Sequence, residues 1–358
     1  MPIDYAAFPR EVSDALRALE PHYEYVESND RGANGYMVFG QNRVSHANVA
    51  IKFYFGEPGV RQHEEPRLLR QVQSQHVLDI HEARRVTGGW AYIITPRCFG
   101  GDIDDLLQTR PNVHTAVDTA LGICSGASAL HAVGMVHRDL KPANIVVEAG
   151  IPRIADFGSV RAFDDGAVEV DASRHSVLYR PPESFATGRY SVRGDVYQVG
   201  LVIYQLFGGR LPYDALAYFN AADRRDFGKL NSNFERSRFE DAVIRRRAEA
   251  GTLANLQSLP DWFDNASKRA MRRMLNPNPN ERLASLADIA AELTAIRIRV
   301  ANWQWVGDVA TLIQGNVQTE LRPKSEGLYE AYRNGGAGFR RVPKIAVGPM
   351  RQIIERLG

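Results

Sequence analysis

An acid, a cation and an amide fall close together in Val136-His137-Arg138-Asp139-Leu140-Lys141-Pro142-Ala143-Asn144-Ile145-Val146-Val147, and a second acid follows in Asp156-Phe157-Gly158. The apolar pair Met135, Val136 leads into this polar turn, and the run Ile145, Val146, Val147 leaves it. A further short apolar strand, Ile154, Ala155, ends on Asp156, and Gly158 after it can take positive φ. Two carboxylates and an amide on adjacent loops suit phosphoryl transfer. One acid meets a hydroxyl, and the other acid with the amide holds Mg²⁺.

Such a constellation needs elements to carry it. Residues 9–20 read as an amphipathic helix, with Val12, Ala15, Leu16 and Leu19 at helical spacing and Pro21 as its stop. Strands are expected at 23–27, 36–39 and 48–55, with Ala50 and Lys52 on one face of the third. A helix is expected to begin at Glu65, because Leu69 and Val72 fall on its helical face; Glu64 is the other acid available, and Pro66 keeps the helix short. Residues 91–95 form another strand. The stripe Val113, Val117, Ala120, Leu121, Cys124, Ala127, Leu130 marks a long core helix, in which Cys124 is a buried apolar residue and His131 is structural. Val196, Val199, Ile203 and Leu206 mark a second core helix over 191–207, opened by Asp195. The charged stretch 214–260 reads as a solvated helical face, with a docking surface as the alternative.

These residues together resemble the eukaryotic-type (Hanks-type) serine/threonine protein kinases. His-Arg-Asp-Leu-Lys-Pro-Ala-Asn followed by Asp-Phe-Gly is the most specific part. Val49-Ala50-Ile51-Lys52 matches the family's V-A-I-K. Ser176-Val177-Leu178-Tyr179-Arg180-Pro181-Pro182-Glu183 stands for T-x-x-Y-x-A-P-E, with Pro181 in place of Ala. Gly32 and Gly35 match the second and third glycines of the phosphate loop and Met37 its Val, while Asp30 stands at the first. The resemblance covers about 22–299 and is stronger in the second lobe than in the first.

The resemblance implies an α+β, two-lobed fold with a small β-rich N-lobe and a larger helical C-lobe. The divisions expected are an N-terminal helix over 1–21, the N-lobe over 22–99, the C-lobe over 100–299 and a C-terminal helical extension over 300–358. It also implies roles. Asp139 orients the substrate hydroxyl and accepts its proton, and Lys141 steadies the transferring group. Asn144 and Asp156 hold the metals. Lys52, set by Glu65, holds the nucleotide phosphates above Gly32 and Gly35. Thr95 is the gatekeeper of the nucleotide hinge, with Pro96, Arg97 and Cys98 following. Asp195 accepts from the backbone of the His-Arg-Asp turn, Arg282 pairs with Glu183, and Arg138 receives a loop phosphate within reach of Ser173 and Arg174. ATP and Mg²⁺ are the cofactors implied, and a protein serine or threonine is the acceptor. Two alternatives share the fold: a small-molecule kinase, whose relatives carry H-G-D and lack the Arg138, Glu183 and Arg282 pattern, and a pseudokinase acting as a nucleotide-binding module.

Composition allows a full core and gives no global charge field. The chain has 358 residues, 44% of them hydrophobic, enough for a full core. Its formal charge of +2 gives no global field toward nucleic acid or membrane. The two cysteines, Cys98 and Cys124, match no metal or redox spacing, and the nine histidines show no zinc-ligand spacing. No signal peptide or membrane span is expected, so the expected location is the cytoplasm. The tail, with Trp303, Trp305 and Val306 at its start and Met350, Ile353, Ile354 and Leu357 at helical spacing, is too apolar for disorder and is expected to pack on the second lobe. Within it, 333–341 reads as a flexible Gly-Arg loop.

Overall fold

The computed structural model describes residues 3–32, 35–55, 69, 71–173 and 176–357, the backbone alone for 29–32. The helix expected at Glu64 and Glu65 lies outside the described residues, as does Arg174.

Helix α1 (Arg10–Leu19) buries Val12, Leu16 and Leu19, as its spacing predicts. It lies on an antiparallel sheet of order β1-β2-β3-β5-β4. The strands are β1 (Tyr23–Gly32), β2 (Gly35–Asn42), β3 (Asn48–Phe55), β4 (Glu82–Arg85) and β5 (Trp90–Pro96). Val38, Val49, Ile51, Phe53, Tyr92 and Ile94 join the α1 residues in one core.

The larger lobe is helical: α2 (Ile103–Gln108), α3 (Val113–Ala132), α4 (Pro182–Thr187), α5 (Val192–Leu206), α6 (Ala221–Phe227), α7 (Asn233–Glu249), α8 (Asn265–Met274) and α9 (Leu286–Arg299). Asn112 caps α3 and Ser191 caps α5, each accepting a first-turn N–H that would otherwise lack a partner. Helix α5 is buried nearly all round and α3 over most of its surface, with Val117, Ala120, Ala127, Val199 and Ile203 inaccessible to solvent. Cys124 belongs to this core, and burial pushes its thiol up to about 12. The loops that carry chemistry hang between short paired strands. These are β6 (Met135–Val136) with β9 (Arg161–Ala162), β7 (Ile145–Glu148) with β8 (Ile151–Ile154), and β10 (Val170–Asp171) with β11 (Arg189–Tyr190).

The tail ends in the expected helix, α10 (Met350–Leu357), which buries Met350 and Ile353. Before it stands a sheet that the sequence reading did not anticipate. Strands β12 (Trp303–Val306), β13 (Val309–Gln314), β14 (Val317–Ser325), β15 (Leu328–Asn334) and β16 (Arg340–Arg341) form an antiparallel meander. Three two-residue turns join the first four strands. Gly307, Gly315 and Gly327 supply their positive φ of 59°, 57° and 70°, which side chains with a Cβ resist. Alternation places Trp303, Ala310, Leu312, Leu321 and Ala331 on the inner face, in the same core as the helical lobe. Trp303 stacks on Trp262 with centroids 5.9 Å apart and an interplanar angle of 9°.

The tail therefore completes the core of the second lobe. Trp303→Ala should cost about 3–5 kcal/mol, the range for emptying a buried aromatic site. Removing 300–358 should lower the melting temperature further or abolish solubility. Equal thermal melts of truncated and full-length chains would show instead that the tail folds and packs independently.

Candidate active site

Strand β3 delivers Lys52 from the first lobe. Its ammonium donates to Asp156 Oδ1 of the second lobe, so one charged hydrogen bond spans the cleft. Asp156 sits in the left-handed region at φ 55°, ψ 68°, where a short polar side chain is better tolerated than a branched one. Burial is the largest single influence and pushes its carboxyl up, but the charge and hydrogen bond of Lys52, with His137 and Lys141 adding, together hold it below the usual carboxylate range.

The loop between β6 and β7 folds onto itself around Asp139. Lys141 Nζ donates to Asp139 Oδ2 at 2.9 Å. Asn144 Nδ2 donates to the same oxygen at 3.0 Å and to the Asp139 carbonyl at 2.7 Å. Oδ2 is thus committed within the protein. Oδ1 is buried and accepts from no donor among the described residues. With its amide nitrogen used this way, the Asn144 side-chain oxygen accepts no hydrogen bond among the described residues. The Ala155 N–H donates to the Asn144 carbonyl at 2.8 Å, which sets Asn144 beside the strand end that carries Asp156.

A buried acid beneath the loop holds its shape. Asp195, inaccessible on α5, accepts the His137 N–H at 2.9 Å, the Arg138 N–H at 3.0 Å and the Tyr190 hydroxyl at 2.7 Å. His131 Nε2 lies 2.8 Å from Asp195 Oδ2, the oxygen that also accepts the His137 N–H. Burial opposes the charge on Asp195, and His131 first among its partners turns the balance, so its carboxyl lies below the usual range. Arg138 is held at φ 69°, a conformation that a long side chain resists, and its N–H bond to Asp195, the neighbouring His137 N–H bond and its own guanidinium contacts overdetermine it. That guanidinium donates to the Ser159 carbonyl at 2.6 Å and to the Asp171 carbonyl. It therefore ties both ends of the segment after Asp156 to the loop.

Sequence reasoning did not single out Gln198 or Tyr190. Gln198 Oε1 accepts the Leu140 N–H at 2.8 Å and the Tyr190 hydroxyl at 2.9 Å, and its amide donates to the Arg138 carbonyl at 3.2 Å. The available signal was a Gln three residues after Asp195 in an otherwise apolar helix, since a buried polar group needs partners. The expected Arg282–Glu183 pair is present and bidentate, at 2.8 Å and 2.8 Å, with Arg282 buried.

At the hinge, Thr95 is buried in β5, its hydroxyl 3.3 Å from the Pro96 carbonyl. Arg97, expected at the nucleotide hinge, is engaged within the first lobe by its N–H and its side chain. Its N–H donates to the Asn48 carbonyl at 3.0 Å, and its guanidinium donates to Glu27 at 2.7 Å and covers the Phe39 ring at 4.3 Å. Arg97 thereby extends the β3–β5 ladder by one more bond. The Cys98 N–H has no acceptor among the described residues. Gly32 and Gly35 pair with each other where β1 turns into β2. A Cβ on Gly35 would lie 1.9 Å from the Phe53 carbonyl oxygen, so close strand approach alone already demands glycine there. Glu65 lies outside the described residues.

Among the described residues no helix is long and apolar enough to cross a membrane. The model of the protein kinase domain family matches residues 23–293, most of the chain. The chain is 27% identical to the serine/threonine-protein kinase PknL of Mycobacterium tuberculosis over 241 residues, which are 66% of this chain and 54% of that protein. It is 27% identical to the mitogen-activated protein kinase HOG1 of Cryphonectria parasitica over 296 residues, which are 77% of this chain and 80% of that one. The chain thus spans about half the length of the mycobacterial relatives it matches. Proteins of this family generally use ATP and Mg²⁺. By the extent of the family match and by the site it encloses, the chain belongs to the protein kinase domain family.

Proposed function

We propose that this chain is a serine/threonine protein kinase, transferring the γ-phosphoryl group of ATP to hydroxyls of protein substrates. The observation that carries this reading is the divided Asp139 carboxylate, with Oδ2 fixed by Lys141 and Asn144 and Oδ1 buried and without a donor. A buried carboxylate oxygen lacking a donor is costly, and a substrate hydroxyl would satisfy it.

The residues present fit ATP and Mg²⁺. Asn144 and Asp156 offer only oxygen toward a cation, the ligand type that Mg²⁺ takes, with one or two side chains and phosphates completing its shell. When bound, ATP and Mg²⁺ supply the transferable group and neutralise its charge. The remaining work falls to the chain. Asp139 takes up the hydroxyl proton at Oδ1. Lys141 stabilises charge beside it. Lys52 is steered by Asp156 toward the nucleotide phosphates. Thr95, the Pro96 carbonyl, Arg97 through its backbone, and the Cys98 N–H make up the hinge that faces the base. Gly32 and Gly35 close the phosphate side, and Glu65 orients Lys52. Positioning and a preorganised field account for most of the acceleration.

The full chain incubated with Mg²⁺, γ-labelled ATP and casein or myelin basic protein should label serine or threonine. Mass spectrometry of the same sample should find phosphate on Ser173 or Ser176, where a phosphoserine beside Arg138 would replace carbonyl contacts with stronger charge-assisted ones. No transfer to itself or to either substrate would remove the enzyme assignment. Transfer without phosphate anywhere in 159–180 would remove only the loop modification.

A further inference from the structure

We propose that the cavity between α5, the turn after α7 and the end of α8 is a binding site for a small neutral ligand, an apolar ring that carries one hydrogen-bond acceptor such as a ketone. Tyr197 of α5, Ala254 and Leu256 after α7, and Leu275 and Pro277 after α8 line it. Its volume is about 260 Å³. An apolar cavity of about 150 Å³ is enough for benzene, whereas drug-sized ligands occupy about 300–1,000 Å³. The space therefore suits one ring with a small substituent.

One polar group points to the acceptor. Tyr197 is 2% exposed, and its hydroxyl forms no hydrogen bond among the described residues. Unlike the Trp262 indole N–H and the Thr311 hydroxyl, it is not sealed from solvent, so its small accessible surface borders the cavity. The ring is fixed in place, with the Arg282 guanidinium 4.9 Å from its centre. Burial outweighs that cation and raises the hydroxyl well above the ordinary tyrosine range, so it remains a donor. A donor this buried is costly without an acceptor. Water can supply the acceptor, but not the apolar body that Ala254, Leu256 and Leu275 favour. Arg272 is the one charged residue in the lining among the described residues, and it is exposed. An ion brought here would lose hydration for a screened partner, which favours a neutral ligand. None of the residues assigned to phosphoryl transfer lines this cavity, so binding can be measured without turnover, and the two readings can fail separately.

The full chain, methyl-labelled at leucine and saturated with Mg²⁺ and a non-hydrolysable ATP analogue to fill the nucleotide cleft, would be titrated with acetophenone. The Leu256 and Leu275 methyl signals should shift saturably, and those of Leu16 in the first-lobe core should stay. Tyr197→Phe keeps the ring and removes a hydroxyl that bonds to nothing among the described residues, so its melting temperature should match that of the unaltered chain. It should weaken acetophenone about two- to tenfold, the worth of one hydrogen bond. Binding of α-methylstyrene, the same shape without the acceptor, should be unchanged by it. No saturable shift of Leu256 and Leu275 overturns the proposal, and so does a Tyr197→Phe substitution that alters the ketone and the alkene alike. The first of these uses the unaltered chain, so it decides the matter even if Tyr197→Phe fails to fold.

Discussion

Asp139→Asn is expected to reduce phosphoryl transfer to serine and threonine by about 10²–10⁴-fold, the usual worth of a positioned general base, while ATP·Mg²⁺ binding persists. The substitution keeps size and removes the oxygen pair that divides the work. Its amide would also face the donors of Lys141 and Asn144, which now meet Oδ2 at 2.9 Å and 3.0 Å. Asp156→Asn should behave differently. It weakens the proposed metal ligand and breaks the ion pair with Lys52, so transfer and Mg²⁺-dependent nucleotide affinity should fall together. Because the Asp156 carboxyl lies below the usual carboxylate range, it is ionised at every pH above that range. Its contribution is complete there and is lost only as acid titrates it through its lowered value. Nucleotide affinity should accordingly show no Asp156 titration near neutral pH. Labelled-ATP transfer and calorimetric nucleotide binding measure both limbs. Transfer by Asp139→Asn within a factor of about three of the unaltered chain would withdraw the role assigned to Asp139.

Asp195→Ala is expected to be the most destabilising single change near the site. It leaves the His137 and Arg138 N–H groups, the Tyr190 hydroxyl and His131 without their shared acceptor in a fully buried place. Removing one partner of a buried charged network typically costs about 3–5 kcal/mol. At about 2–4 °C per kcal/mol for a domain of this class, the melting temperature should drop by roughly ten degrees, and transfer should fall because Arg138 would no longer be held at its strained φ. Tyr190→Phe removes only one donor and leaves Gln198 to occupy the space. It should cost about 0.5–1.5 kcal/mol. Thermal melts of the two variants side by side test the network, and equal shifts would show that Asp195 acts through Tyr190 alone.

Motif chemistry was plain in the sequence wherever residues close in the chain must act together. Asp139, Lys141 and Asn144 lie within one turn, so their order alone brings them into contact. The apolar periodicity of α1, α3 and α5 marked the helices, because a 3.6-residue repeat is a property of a local stretch. Trp303 and Trp305, by contrast, gave no sign of a sheet. The turns at Gly307, Gly315 and Gly327 were readable two-residue hairpin signals, but the helical spacing of Met350, Ile353 and Leu357 drew the reading of the whole tail toward helix.

Pairings across large sequence separations belong to the tertiary structure. Lys52 meets Asp156, Arg282 meets Glu183, and Asp195 meets the His137-Arg138 backbone; only the family likeness anticipated any role for them, and no local pattern sets those distances. The fate of Arg97 is the clearest case. The β3–β5 register turns its N–H onto the Asn48 carbonyl and its side chain onto Glu27, bonds that no local pattern sets. The sequence by itself determined which groups could perform phosphoryl transfer. The packed fold decided which oxygen of Asp139 lacks a donor and which hinge N–H lacks an acceptor among the described residues, and where the tail's tryptophans lie. Those depend on which buried polar groups find partners, and that is settled only when distant segments are brought into contact.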